Sequence, residues 1–129
     1  MAEKYRLLIA EDDAGASRLY QTYAQRRGHE VLVARNGAET LLLAATERPD
    51  VMLLDVAMPM LDGRDVLRQL KANARTAAIP VMVVSAMVTD QNLRGQLVDL
   101  GADEVFEKPV DLAATFARAE RLAERTRKG

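Results

Sequence analysis

The stretch Val51-Met52-Leu53-Leu54-Asp55 decides the fold. Four apolar residues in succession, without polar alternation, read as a strand covered on both faces, because a strand with one wet face alternates. The carboxylate that ends the run stands where a buried or half-buried charge is costly unless it has a partner. Working outward, similar runs rich in Val, Ile and Leu occupy Tyr5 to Ala10, Val31 to Ala34 and Val81 to Val84, with a weaker one at Glu104 to Phe106. Between them apolar residues recur three and four apart, as at Ala16, Leu19, Tyr20, Tyr23 and Ala24, at Ala38, Leu41, Leu42 and Ala45, and at Val66, Leu67 and Leu70. Leu93, Leu97 and Leu100 continue the pattern, and Leu112, Phe116, Ala119 and Ala123 follow the fifth run. That spacing is helical. Gly28 and Gly101 follow helical patterns where a left-handed cap is expected, while Pro49 and Pro80 stand at the mouths of strands. A strand-helix alternation repeated about five times, joined by right-handed crossovers, predicts an α/β fold: an open parallel sheet with helices on both faces.

The chain has 129 residues, a size that suits one compact domain, expected to span residues 1–129 with a core at about 4–125 and no output domain. Eighteen basic residues against nineteen acidic ones give a formal charge of -1, so no chain-wide field draws it to nucleic acid or to an anionic membrane. The absence of cysteine excludes disulfide scaffolds, thiolate metal clusters and thiol nucleophiles. A single histidine, His29, excludes a multi-histidine metal site, and in the turn Gly28-His29-Glu30 it reads as a surface residue with no role. No apolar signal-peptide core or membrane-spanning run is present, and a cytoplasmic location is expected.

Ligands of open parallel sheets bind at the carboxyl ends of the strands. Those positions hold Glu11, Asp12 and Asp13 after the first strand, Asp55 after the third, Ser85 after the fourth and Lys108 after the fifth. Each alone has an ordinary explanation: Asp12 or Asp13 as a helix cap, Ser85 as a turn residue, Lys108 as a solvated amine. We assign Asp13 to capping or solvent. Gathered at one edge, the carboxylates repel by roughly 4 kcal/mol per pair at 4 Å and an effective dielectric near 20. Lys108 supplies one compensating charge, and a hard divalent cation with oxygen ligands, Mg²⁺, supplies two, with a backbone carbonyl just past Asp55 among the donors.

Over roughly residues 4 to 125 the chain resembles the receiver domain of two-component response regulators. Leu-Leu-Ile-Ala-Glu11-Asp12-Asp13 is similar to the acidic-pair segment of that family, and Val-Met-Leu-Leu-Asp55-Val-Ala57-Met58-Pro59-Met-Leu-Asp62-Gly63 to its phosphoacceptor strand and loop. Val-Met-Val-Val-Ser85-Ala86 resembles the hydroxyl-bearing switch strand, and Gly101-Ala102-Asp103-Glu-Val105-Phe106-Glu-Lys108-Pro109 the lysine segment. The resemblance implies a doubly wound, flavodoxin-like sheet of order 2-1-3-4-5 with about five helices. It implies that Asp55 accepts a phosphoryl group from a sensor histidine kinase or a histidine phosphotransfer protein. It further implies a Mg²⁺ ion, with Mn²⁺ as a substitute, held by Asp12, Asp55 and the Ala57 carbonyl, with Glu11 acting through water. Lys108 and Ser85 would bind the phosphoryl group, and the switch region would comprise Ser85, Ala86, Val105 and Pro109, with a cis Lys108-Pro109 bond. Signalling would run through protein contacts at the face made by the fourth helix, fifth strand and fifth helix, with no turnover of an external substrate and no direct nucleic-acid or membrane partner.

Two departures from the family pattern qualify these expectations. Val105 stands where the family carries Tyr or Phe, so a swinging aromatic is absent, and Phe106 should face the other side of its strand. Ala57 and Met87 stand where polar side chains orient an attacking water, which predicts slow self-dephosphorylation. The basic last helix, with Arg118, Arg121, Arg125, Arg127 and Lys128, reads as a solvated face. The alternative to phosphotransfer is a receiver-like docking module that is never phosphorylated. A haloacid-dehalogenase-type phosphatase would need a second acid where Ala57 stands, and an FMN binder would not place Glu11 to Asp13 against a phosphate.

Overall fold

The computed structural model describes residues 3–58, 62–86 and 90–128. Five parallel strands, β1 (Arg6–Ala10), β2 (Glu30–Ala34), β3 (Val51–Leu54), β4 (Val81–Ser85) and β5 (Glu104–Glu107), form one sheet in the order β2-β1-β3-β4-β5. Helices α1 (Ala14–Arg26), α2 (Gly37–Glu47), α3 (Gly63–Ala72), α4 (Gln91–Asp99) and α5 (Leu112–Lys128) alternate with them. This is the open parallel sheet expected from the strand-helix alternation, in the doubly wound order that the resemblance implies.

Strand period two explains how uniformly apolar strands serve two cores. Leu8, Ala10, Met52, Leu54, Val81 and Val83 pack with Ala44, Leu67 and Leu97 of α2, α3 and α4. Their neighbours Leu7, Ile9, Val51, Leu53, Met82 and Val84 pack with Tyr20 of α1 and Phe116 of α5. Val105 joins the first cluster and Phe106 the second, so the two side chains leave β5 on opposite faces as expected. Gly28 and Gly101 take φ of 92° and 108°, the left-handed caps expected of them.

Three sequence expectations require correction. Leu19 and Leu42 belong to apolar helical patterns, yet both stand out in solvent, because α1 buries Ser17, Tyr20 and Ala24 and α2 buries Gly37, Thr40 and Ala44. His29 is not a surface turn residue. Its side chain is buried, Nδ1 accepts the Tyr5 N–H at 3.1 Å, and Nε2 lies 2.6 Å from Glu120 Oε2. Since Nδ1 accepts, Nε2 carries the proton and donates it to Glu120. The physical reason is that Glu120 of α5 stands at the entry to β1, where the N–H of Tyr5, the residue before the strand, needs an acceptor inside the fold. The last helix is likewise more than a solvated face: Arg127 donates to both Asp50 carboxylate oxygens and to the Lys4 carbonyl, and Arg118 to Glu104.

Candidate functional site

Parallel register brings the strand ends to one edge: Ala10 lies between Ala34 and Leu54, Leu54 beside Val83, and Ser85 beside Glu107. The ladder continues one step beyond the strands. Glu11 N–H donates to Ala34 O at 3.0 Å, Asp55 N–H to Ala10 O at 3.0 Å, and Lys108 N–H to Ser85 O at 3.2 Å. Backbone bonds therefore hold the site residues of β1, β3 and β5 before any side-chain contact forms.

The side chains complete the cluster. Lys108 Nζ lies 2.5 Å from Glu11 Oε1 and 3.1 Å from Asp55 Oδ2, joining residues from three strand ends. Asp55 Oδ1 accepts the Ala57 N–H at 2.9 Å, and Glu11 Oε2 accepts the Asp13 N–H at 3.2 Å. Glu11 and Asp55 are buried at 2% and 8% exposure, whereas Asp12 is exposed, so the cluster opens to solvent on the Asp12 side. Asp13, assigned to capping or solvent, caps α1 by accepting the Ala16 N–H.

Burial pulls the Lys108 ammonium toward deprotonation, but the Glu11 hydrogen bond and the Asp55 charge more than offset it and hold the amine well above its ordinary value. Burial pushes the Glu11 carboxyl up, an effect that the Lys108 bond opposes and the Asp55 charge reinforces. Both follow from one cation among three carboxylates. Oxygens of Glu11, Asp12 and Asp55 lie within 4.8 Å of one another, close enough for one ion to bridge. At that spacing each like-charge pair costs roughly 3 kcal/mol at an effective dielectric near 20. With Lys108 counted, two negative charges are left over, the charge of one divalent cation. An all-oxygen donor set with one wet side suits Mg²⁺, which keeps several of its waters.

The other expected site residues are placed as follows. Ser85 is buried at the end of β4, beside β5, and Ala86 is exposed directly after it. Ala57 is exposed two residues past Asp55, Val105 is half-buried, and the exposed Pro109 follows Lys108 through a cis peptide bond, as expected. Met87 and Pro59 lie outside the described residues. The motifs did not single out Tyr20, a buried residue of α1 that lines the inner side of Glu11 and Asp55. Its apolar periodicity places it in the core, and no sequence signal places it beside the carboxylates.

The response regulator receiver domain family model matches residues 7–120. Among curated proteins, the chain is 36% identical over 121 residues to the DNA-binding dual master transcriptional regulator RpaA of Synechocystis, covering 94% of this chain and 50% of that one. It spans about half the length of the curated relatives it first matches. The solved receiver domain of the Francisella response regulator 1452 superimposes with a TM-score of 0.85 at 30% identity, covering 95% of this chain and 98% of that one. A Mn²⁺-bound form of the response regulator Rcp1 superimposes with a TM-score of 0.73 at 25% identity, covering 92% and 91%.

Proposed function

Because this chain belongs to the response regulator receiver domain family, we propose that Asp55 accepts a phosphoryl group from the phosphohistidine of a sensor kinase or a histidine phosphotransfer protein. The observation that carries this is the single ammonium of Lys108 spanning Glu11 and Asp55 beside the open Asp12 carboxylate. An Asp55 carboxylate oxygen forms the new O–P bond while the donor's N–P bond breaks, and the departing imidazole recovers a proton from solvent. Asp55 is suited to this because its backbone is held by Ala10 and its side chain by Ala57 N–H and Lys108, so little reorganisation precedes attack.

Asp12, Asp55 and the Ala57 carbonyl would hold Mg²⁺, with Mn²⁺ as a substitute, and Glu11 would act through water. When bound, the ion supplies positive charge against the phosphoryl oxygens. The manganese in the Rcp1 structure supports the same class of cation. Lys108 neutralises a further phosphoryl oxygen, which it reaches by releasing Asp55. The Ser85 hydroxyl donates a hydrogen bond to the group, drawing the segment after β4 inward and coupling the site to the face of α4, β5 and α5. With Val105 in place of an aromatic, that coupling runs through the backbone of the Ser85-Ala86 segment and through α4, which Arg94 ties to the Val105 carbonyl at 3.0 Å.

The product is a modified side chain of the protein itself, so no external substrate is turned over. Among the described residues no helix is long and apolar enough to cross a membrane. Output is by contact with another protein rather than with nucleic acid.

The test is incubation with acetyl phosphate and Mg²⁺ followed by intact-mass and peptide mass spectrometry. One phosphoryl adduct on Asp55, lost in Asp55→Asn and in the presence of a chelator, is the expected result. An unmodified protein that also takes up no Mg²⁺ by calorimetry would favour the docking module that is never phosphorylated.

A further inference from the structure

The inner side of the site is closed by one residue that phosphotransfer, as described above, does not use. Tyr20 lies in the second turn of α1 with its side chain buried toward the sheet. With Ile9, Leu53 and Val84 it encloses the space behind Glu11 and Asp55, which has no room for a water molecule. Among the described residues lining that space, Tyr20 is, apart from the two acids, the only one whose side chain has a polar group. Burial pushes the phenol up, Lys108 opposes the rise, and Glu11, Asp55 and Asp13 add to it, so the hydroxyl stays neutral while lying in the field of the site's own charges.

A dry inner wall has a consequence for these charges. Ion pairs strengthen where water is excluded, so the bonds from Lys108 to Glu11 and Asp55 meet competition from solvent on the outer side alone. The exposed Asp12 marks a side from which water and phosphodonor can reach Asp55. An aliphatic residue at position 20 would be too short to extend this wall as far as the charges. A phenol joins an apolar ring to a polar tip, and Tyr20 lines the same space as Glu11 and Asp55.

Resting on the assignment of Asp55 as phosphoacceptor, we propose that Tyr20 is a positioning residue for the transfer: its ring keeps water from the inner side of Glu11 and Asp55 and so holds Lys108 in register with Asp55. The ring does this, not the hydroxyl. Phenylalanine therefore substitutes for it and smaller side chains do not.

The experiment measures the rate of Asp55 phosphorylation by acetyl phosphate at saturating Mg²⁺, well below the unfolding temperature. It compares the unaltered protein with Tyr20→Phe, Tyr20→Leu and Tyr20→Ala, and repeats Tyr20→Leu and Tyr20→Ala in a Lys108→Ala background. Tyr20→Phe is expected within about twofold of the parent and Tyr20→Ala about tenfold slower, with Tyr20→Leu between them. In the Lys108→Ala background the loss should vanish, because the two residues act as one unit, which a purely structural role would not produce. Should Tyr20→Ala fail to fold, Tyr20→Leu carries the same comparison. Unchanged rates in the leucine and alanine variants, an equal loss in both backgrounds, or a phenylalanine variant as slow as the alanine one would each overturn the role of the Tyr20 ring while leaving Asp55 as acceptor. A parent protein that takes up no phosphoryl group would overturn both.

Discussion

Replacing Gly63 by alanine tests how tightly the loop after Asp55 is built. Gly63 opens α3, and its N–H donates to the Val56 carbonyl at 3.2 Å. A Cβ at position 63 would stand 2.7 Å from Val56 Cγ1 and closer still to the Cα and Cβ of the same residue. The Val56 Cα would be the nearest of these atoms, whereas ordinary carbon contacts are about 3.5–4.0 Å, so the two segments must separate by roughly 1.5 Å. Val56 cannot rotate away, because it is buried among Met58, Val66 and their neighbours, and the start of α3 is held by the Asp62 cap on Arg64 N–H at 2.8 Å. Overpacking of this kind costs about 1–3 kcal/mol, against which alanine recovers roughly 0.5–1 kcal/mol of helix propensity. The net effect is destabilisation by about 1–2 kcal/mol, or a fall in Tm of roughly 3–6 °C for a domain of this size. Val56 follows Asp55 directly, so the same displacement should also slow acetyl phosphate labelling. Thermal unfolding by circular dichroism, with labelling followed by mass spectrometry, measures both. A Gly63→Ala protein as stable as the parent and labelled at the same rate would refute the reasoning.

The buried His29 supplies a second prediction. Glu120→Ala strips the acceptor from His29 Nε2–H and the partner from Arg27, and should cost about 1–3 kcal/mol in urea unfolding. The Arg27 hydrogen bonds hold the Glu120 carboxyl below the ordinary range, burial opposing and His29 assisting. Its contribution to stability is therefore full above the ordinary glutamate pKa and is lost as pH falls through the depressed one, and the Glu120→Ala protein should show a smaller stability loss on acidification over that interval. At the site itself, Ala57 is exposed two residues past Asp55 and carries no group to orient water. Ala57→Asn should speed loss of the phosphoryl group by roughly tenfold, and a phosphoprotein half-life that barely changes would count against the water-orienting account.

The elements of the fold were legible because the central strands β1, β3 and β4 bury both faces. That requirement forces runs such as Val51 to Leu54 and Val81 to Ser85, which no amphipathic helix would carry. The site was legible for a related reason. A carboxylate at the end of such a run, Asp55, is too costly to bury without a partner, and Glu11 and Lys108 at neighbouring strand ends supply the rest of the cluster. Leu19 and Leu42 misled because apolar periodicity states which residues a helix could bury, whereas the angle at which it docks selects those it does. Val105 shows the opposite limit, since its identity reveals a missing aromatic but not the Arg94 bond to its carbonyl, a contact between residues of different elements.

Sequence alone determined the strand-helix alternation, the strand ends at which acids and an amine are placed, and the caps at Gly28 and Gly101. All of these depend on local spacing and on the cost of burying a charge within a few residues. Tertiary structure alone decided that His29 bridges Tyr5 and Glu120, that Arg127 closes on Asp50, that a side chain at Gly63 would strike Val56, and that Tyr20 stands behind the carboxylates. Most of these join residues far apart along the chain, and all depend on how helices settle on the sheet. Packing density and loop geometry set that arrangement, and no periodicity along the chain encodes it.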